Sequence, residues 1–420
     1  MSDEVMQKDD FPPQNPESWR KLVEADLKGA PFDKRLLTKL IEGITIQPLY
    51  SADTVSNIAV GFPGQSPLVR GGSPLGALRS GWQVVEEHRN PSPVEANAAI
   101  REDLAHGVTS VTVRLSPRLL DSGCVCSQCA CGGGTLVDSI EQLEQLLDQV
   151  DVVKTPVSVT AGPAFYSAAA LVTAWLSKRG IRPAANAVTV HVDPLGSLAA
   201  KGVGYRNADV LLEEAAALAA LTISGSGVAR FQVSTAPYDN AGATSVQELA
   251  AAIATGVQYL RACEKAGLKP AQAASLIDFS VAVGCDQFLE IAKLRALRAL
   301  WNRVEEAVGI EAGSRSARVH ARTSRRVLTK RDPWVNLLRT TIGCFSAAVG
   351  GADQITILPF DDVIGPSDGL SRRIARNTQI ILAEEAQIGR VLDAGGGSFY
   401  IESLTRELAD PAVEGRHRLA

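Results

Sequence analysis

The chain has 420 residues, of which 45% are hydrophobic and 21% charged, with a formal net charge of -4. That composition is ordinary for a globular protein, the length suits one barrel-sized domain with additions or two domains, and the mild acidity argues against a nucleic-acid binder, which is usually basic. The amino terminus, MSDEVMQKDD, lacks an apolar signal core, no apolar run reaches membrane-spanning length, and seven cysteines without a signal read as reduced thiols, so the expectation is a soluble cytoplasmic protein.

Residues 1 to about 15 are polar and proline-containing, and Trp19, Leu22, Val23 and Leu27 then recur at helical spacing. A further apolar stretch, Leu36 to Tyr50, completes an arm within a lead-in of residues 1–80. Such an arm either packs against a partner or covers one end of its own domain. From Gly81 a regular alternation begins. Strand-like runs fall at Trp82–His88, Val108–Leu115, Val157–Ala161, Val188–Val192, Arg230–Ser234, Leu276–Val283, Ala317–Thr323 and Gln354–Leu358. Helical patterns follow them at Pro93–Ala105, Asp138–Leu147, Phe165–Arg179, Asp209–Leu221, Ser245–Ala266, Asp286–Val308, Pro333–Val349 and Leu370–Gly389. Strict strand–helix alternation of this length predicts a (β/α)8 TIM barrel over residues 81–410, with a doubly wound open sheet as the alternative. Two helix starts carry signals: Ser245 with Glu248 reads as a capping box, and Asp332-Pro333 as an N-cap before a first-turn proline. Residues 411–420 match no pattern.

In a barrel the functional face is built from residues just beyond each strand. Here those ends supply Glu87-His88-Arg89, Ser116, Gly162-Pro163, Asp193-Pro194, Tyr238-Asp239-Asn240, Cys285-Asp286, Ser324-Arg325-Arg326 and Asp361-Asp362. Glu87, Asp193 and Asp239 are candidate acid–base groups if burial raises their pKa. The competing reading pairs them with Arg89, Arg325 and Arg326. Cys124, Cys126, Cys129 and Cys131 crowd one glycine-flanked loop, which either is a flexible insertion or binds metal or cycles redox state; the second knuckle normal for zinc is missing. His88, His191 and His320 accompany no recognised catalytic spacing and read as satisfied core or mouth groups. Gly395-Gly396-Gly397-Ser398 reads as a turn with no helix behind it, hence no phosphate cradle.

Several longer stretches are more specific. They include Glu42-Gly43-Ile44 with Pro48-Leu49-Tyr50, Asp239-Asn240-Ala241-Gly242-Ala243-Thr244, Phe288-Leu289-Glu290-Ile291-Ala292-Lys293-Leu294-Arg295, Arg373-Ile374-Ala375-Arg376-Asn377-Thr378-Gln379 and Gly397-Ser398-Phe399-Tyr400-Ile401-Glu402-Ser403. Through these the chain resembles the adenosylcobalamin-dependent methylmalonyl-CoA mutase family from about Trp19 to Leu408. The resemblance implies a barrel with acyl-CoA threaded along its axis and cobalamin clamped on the mouth by a separate corrin-binding domain.

The departures from that family concern the chemistry. Catalytic members carry a Tyr-His pair at positions that fall here on Ala236 and Pro237; a small shift puts Tyr238 in the tyrosine slot but leaves Asp239 where histidine belongs. Where active chains read Trp-Thr-Ile-Arg-Gln-Tyr, this one reads Trp82 to Glu87, so the arginine becomes Val85 and the tyrosine becomes Glu87. Asp193-Pro194-Leu195-Gly196 and Gln354 to Asp361 resemble the small, non-catalytic subunit of two-chain mutases. The corrin signature Asp-x-His-x-x-Gly is absent from these residues, the register of Asp103 and His106 being different. The resemblance therefore implies a chain with no catalytic residues and no cofactor of its own, whose homologous catalytic large subunit holds adenosylcobalamin in a heterodimer. Alternatives are an active barrel borrowing a separate corrin protein and a stand-alone scaffold homodimer. If no CoA enters, the axis should be narrowed near Glu87, Asp193 and Arg325.

Overall fold

The computed structural model describes residues 15–55, 60–78, 80–116, 133–183, 188–201 and 207–419. The four clustered cysteines, Cys124 to Cys131, lie outside the described residues. Eight parallel strands close into one barrel: β1 Gln83–His88, β2 Ser110–Arg114, β3 Val157–Thr160, β4 Val188–Val192, β5 Ala229–Ser234, β6 Ile277–Val283, β7 Arg318–Thr323 and β8 Gln354–Thr356. The expected fold class is correct. Closure is made by β8, whose Gln354, Ile355 and Thr356 lie beside Gln83, Val84 and Val85 on one side and His320, Ala321 and Arg322 on the other.

The sequence pattern explains why the sheet curls inward on a polar face. Successive strand residues point to opposite faces. Val111, Val113, Val157, Val159, Val190, Phe231, Val233, Phe279 and Val319 are fully buried in the shell against the helices. Each such side chain contributes about 1.5–3 kcal/mol relative to leaving it exposed. The alternate positions are serine, threonine and a few charged or imidazole groups, and on β5 these residues, Arg230, Gln232 and Ser234, keep partial exposure while their neighbours keep none. The axis of this barrel is therefore polar, unlike the packed aliphatic layers usual in the fold.

The helices of the shell are α2 Pro93–Ala105, α3 Ile140–Leu146, α4 Phe165–Lys178, α5 Ala208–Ile223, α6 Ser245–Lys265, α7 Gln287–Ala307, α8 Val335–Val349, α9 Gly369–Ile380 and α10 Phe399–Leu419, preceded by α1 Pro16–Asp26 in the arm. The pair α6 and α7 pack closely: Trp301 lies edge-on to Phe279 with centroids 4.9 Å apart, and a Cβ on Gly256 would come within 2.7 Å of the Trp301 ring. Only glycine lets the two helices approach so nearly.

Four local readings need correction. The cap of α6 is Thr244 with Gln247, not Ser245 with Glu248; Glu248 is buried and turns toward Lys293 instead. Asp332 does not cap α8. It sits in the left-handed region at φ 46°, and the helix begins at Val335 after Trp334, whose ring stacks on Phe360. Asn336 fixes that entry by bonding Thr329 and the Phe360 carbonyl. The last helical run ends as α9 at Ile380, followed by a π turn at Ile381–Glu385. Finally, a helix does follow the glycine-rich turn, and α10 continues through most of residues 411–420. No phosphate cradle results, because Gly397 N–H donates to Glu402 Oε1 at 3.0 Å and that carboxylate already occupies the helix start.

The arm divides into two. Ile44 joins the barrel core, Glu42 accepts from the Ser245 amide, and Tyr50 packs against Tyr400 at 4.9 Å, so this half covers its own barrel. In contrast α1 buries none of its side chains, and Leu22 is 68% exposed. No helix among the described residues is long and apolar enough to cross a membrane.

Candidate functional site

At the carboxyl ends of the strands the charged residues fall into separate, satisfied groups. Glu87, at the inward end of β1, accepts from Arg322 of β7 through Nε at 2.8 Å and Nη2 at 3.1 Å. Burial alone would raise this carboxyl, but Arg322, Arg114 and Arg89 outweigh it and hold Glu87 at about 2. A carboxylate so held is not a proton carrier near neutrality. The expected ion pairing is present, though with Arg322, a partner the strand-end reading passed over because it lies within β7. A second inward pair, Arg230 to Asp278, is also bidentate, at 3.0 Å for both bonds, and lies nearer the amino ends of β5 and β6.

Asp193 has no arginine. Its Oδ1 accepts from Tyr259 Oη at 2.5 Å and from Gly196 N–H at 3.0 Å, and Oδ2 accepts from Ser234 N–H at 3.1 Å. Tyr259 in turn stacks on Phe231 at 4.5 Å. Asp193 thus ties β4 to β5 and α6 and faces the shell. Burial raises it to about 6 against these three donors. Gly196 is required here, since a Cβ would stand 2.0 Å from the Asp193 carboxylate.

Asp239 is buried and accepts from Ser324 Oγ at 2.7 Å, with Arg326 Nη1 at 3.5 Å, as the pairing reading expected. Arg89 and Arg325, however, converge on Asp362; Arg325 lies at 2.9 Å and Arg89 is also hydrogen-bonded to it. The stretch after β5 is a short helix, Ala236–Asn240. Thr235 secures it by accepting from the Ala282 amide at 2.9 Å. Ala236 then faces a void of only ≈ 10 Å³, closed by Ser280, Ala282, Arg322 and Thr323. That is room for no more than about one water. The axis is accordingly pinched beside Ala236 and Arg322. Of the three places expected to narrow it, Arg325 lines the same small void and Glu87 spans the axis to Arg322, whereas Asp193 faces the shell. A larger cavity of ≈ 620 Å³ opens on the β1 and β8 side of the mouth, lined by Glu87, Arg89, Arg114, Arg325, Thr356 and Asp362 among others.

The histidines are structural. His320 Nε2 and Thr356 Oγ1 are 2.8 Å apart across β7 and β8, and burial first, then the neighbouring His191 and Arg322, lowers His320 to about 3. His191 and His88 are likewise lowered by burial, to about 4 and about 3. Since an ordinary imidazole titrates near 6.5, the folded-state value is depressed. The stability this contributes is present above pH 6.5 and lost as pH falls toward the folded value. His320→Gln is therefore expected to resist acid better than the parent. Between pH 6.5 and 4 the parent should lose about 1.4 kcal/mol per pH unit relative to the variant in urea unfolding.

Comparison with known proteins decides the family. A family model described as methylmalonyl-CoA mutase matches residues 39–417. The chain belongs to the methylmalonyl-CoA mutase family. It is 40% identical to a methylmalonyl-CoA mutase small subunit of Streptomyces virginiae over 96% of this chain and 63% of that one. The small subunit of Propionibacterium freudenreichii subsp. shermanii is 38% identical over 96% of this chain and 61% of its own length. A chain of Escherichia coli named methylmalonyl-CoA mutase is 31% identical over 95% of this chain and 57% of its own. The chain thus spans about three-fifths of the length of these curated relatives.

Mutase chemistry implies adenosylcobalamin, and the donor set of the described residues does not fit its ligation. His88, His191 and His320 are buried within strands, and His106 engages the Glu102 carbonyl of its own helix at 2.7 Å. Of these only His88 lines the mouth cavity, and there it is 4% exposed with its Nε2 turned toward Asp103 Oδ2 at 3.6 Å. The described residues also include no group of three or more His, Cys, Asp or Glu placed to hold a metal.

Proposed function

We propose that this chain is the barrel of a non-catalytic small subunit of adenosylcobalamin-dependent methylmalonyl-CoA mutase. In this reading it supports a homologous catalytic large subunit that holds the cobalamin and interconverts (R)-methylmalonyl-CoA and succinyl-CoA. The observation that carries it is the Glu87–Arg322 pair across the inward face, at a position where catalytic members place a tyrosine over substrate. Val85, Ala236 and Pro237 offer no side-chain donor or acceptor, and Asp239 is engaged by Ser324. The Glu87–Arg322 pair spans the axis along which an acyl-CoA would have to thread and obstructs it. The small-subunit names of several relatives support the same reading. Of the arm from Trp19 to Tyr50, α1, which touches its own chain through Trp19 against Phe32 and leaves Leu22 exposed, supports the Trp19 end as part of the subunit interface.

The test is co-expression with a homologous large subunit, followed by size-exclusion chromatography and assay. Co-elution as a heterodimer is expected, with turnover only in the complex. Mutase turnover by this chain alone with added adenosylcobalamin would sink the reading.

A further inference from the structure

Arg114 stands at the inward end of β2, half-buried, with no hydrogen bond or ion pair to its guanidinium among the described residues. Its surroundings make that unusual. Besides burial and Glu87, the charges acting on it are those of Arg322, Arg89 and Arg325. Among the described residues only Glu87 and Asp362 are bonded to these arginines: Glu87 is held bidentately by Arg322, and Asp362 is shared by Arg89 and Arg325. Four guanidinium groups thus meet two carboxylates, leaving two positive charges uncompensated at one spot.

That spot is the wall of the ≈ 620 Å³ cavity, which Arg89, Arg114 and Arg325 all line. The other acidic groups along it do not balance the excess. Glu95 is exposed at the outer edge and bonded to Asn90, while Glu86 is buried with an unpaired Oε2, its carboxyl pushed well up by burial, and the cations acting on it are Arg372 and Arg376 rather than the cluster around Arg114. Arg372 also lines the cavity; it shares Asp103, at 3.5 Å, with Arg376 at 2.6 Å, and both arginines also act on Glu86. An uncompensated buried arginine is costly, and its fork of donors suits a carboxylate or phosphate.

We propose that the mouth cavity is a binding site for a small dianion, a phosphate monoester or a dicarboxylate, gripped by Arg114 and flanked by Arg89 and Arg325. The two uncompensated charges set the ligand's charge, and the volume lies within the range of small-molecule sites, about 300–1,000 Å³. The site is a property of this chain's own mouth and stands whether or not the chain pairs with a catalytic partner.

Isothermal titration of the whole chain with succinate and with inorganic phosphate tests it, using acetate at matched ionic strength as the monoanion control. At least one dianion should bind with Kd of about 1 mM or below, at least about tenfold tighter than acetate. Arg114→Gln should weaken that binding at least about tenfold, and Lys154→Gln, at an exposed position remote from the mouth, should leave it unchanged. Succinate preferred identifies a dicarboxylate; phosphate preferred identifies a phosphate ester. Absence of binding by either dianion below about 10 mM, or equal binding by Arg114→Gln, overturns the proposal. If that variant fails to fold, modification of the parent by phenylglyoxal decides: protection of Arg114 by the dianion but not by acetate supports the site, and equal modification overturns it.

Discussion

Replacing Lys293 by methionine is expected to destabilise the chain by about 3–5 kcal/mol, read as a fall in the urea midpoint at pH 8. Lys293 is almost wholly buried on α7, and its ammonium donates to the Ala282 carbonyl at 2.8 Å and to Glu248 at 3.3 Å, with Glu290 Oε2 at 2.8 Å. One cation therefore serves two buried carboxylates and a strand carbonyl. Burial raises Glu248 to about 7 even with Lys293 beside it, so the folded chain binds a proton there more readily than the unfolded chain. By linkage this group's contribution falls as pH rises from about 4.5 to 7, which is the opposite sense to the histidines. Without the lysine both carboxylates must be neutralised on folding, and the loss should shrink on going from pH 8 to pH 5. A deficit that stays the same at both values would mean that packing, rather than charge, is what Lys293 supplies.

The second expected result concerns the axis. Glu87→Gln is predicted to cost about 3–5 kcal/mol, since it leaves Arg322 beside Arg114 with no carboxylate between them, and Arg322→Met should cost a similar amount by stranding Glu87. The double variant should recover much of the loss, with a coupling energy of about 1–3 kcal/mol in a double-mutant cycle. Additive losses would show that the two groups act separately. The sign with pH follows from Glu87, which falls from an ordinary 4.5 to about 2 in the folded chain. Its stabilisation is present above pH 4.5 and disappears as pH drops through 2, so the Glu87→Gln penalty should be largest near neutrality and vanish in strong acid. Neither single variant is expected to create mutase turnover, because Ala236 and Pro237 remain without a proton to give.

How far the residues alone could be read differs between scaffold and site. Alternating valines and serines, as in β2 and β3, announce strands with one apolar face, and the eight repeats left few topologies. Family stretches such as Asp239 to Thr244 were also visible, because backbone turns and close packing constrain them locally. The errors arose where two local solutions compete. Thr244–Gln247 and Ser245–Glu248 both satisfy a capping pattern, and the choice between them depended on Lys293, forty-five positions away, which draws Glu248 inward. Asp332-Pro333 looked like a cap, but Asn336 bonding to Thr329 and Phe360 set the helix start instead.

Pairing of the charged residues was the least legible feature. Glu87, Asp193 and Asp239 all read alike as strand-end carboxylates, yet one spans the axis to Arg322, one faces the shell against Tyr259, and one lies under Ser324. Arg114 gave no signal at all in sequence, being one polar residue on an alternating strand. What the sequence by itself determined was the barrel and the family, since these follow from local periodicity and residue identity. Only the tertiary structure decided which charges neutralise one another, that the axis is polar and pinched, and that Arg114 has no partner among the described residues. Ion pairing across a closed sheet joins residues hundreds of positions apart, such as Glu87 and Arg322, and depends on strand register and shear, which no single segment encodes.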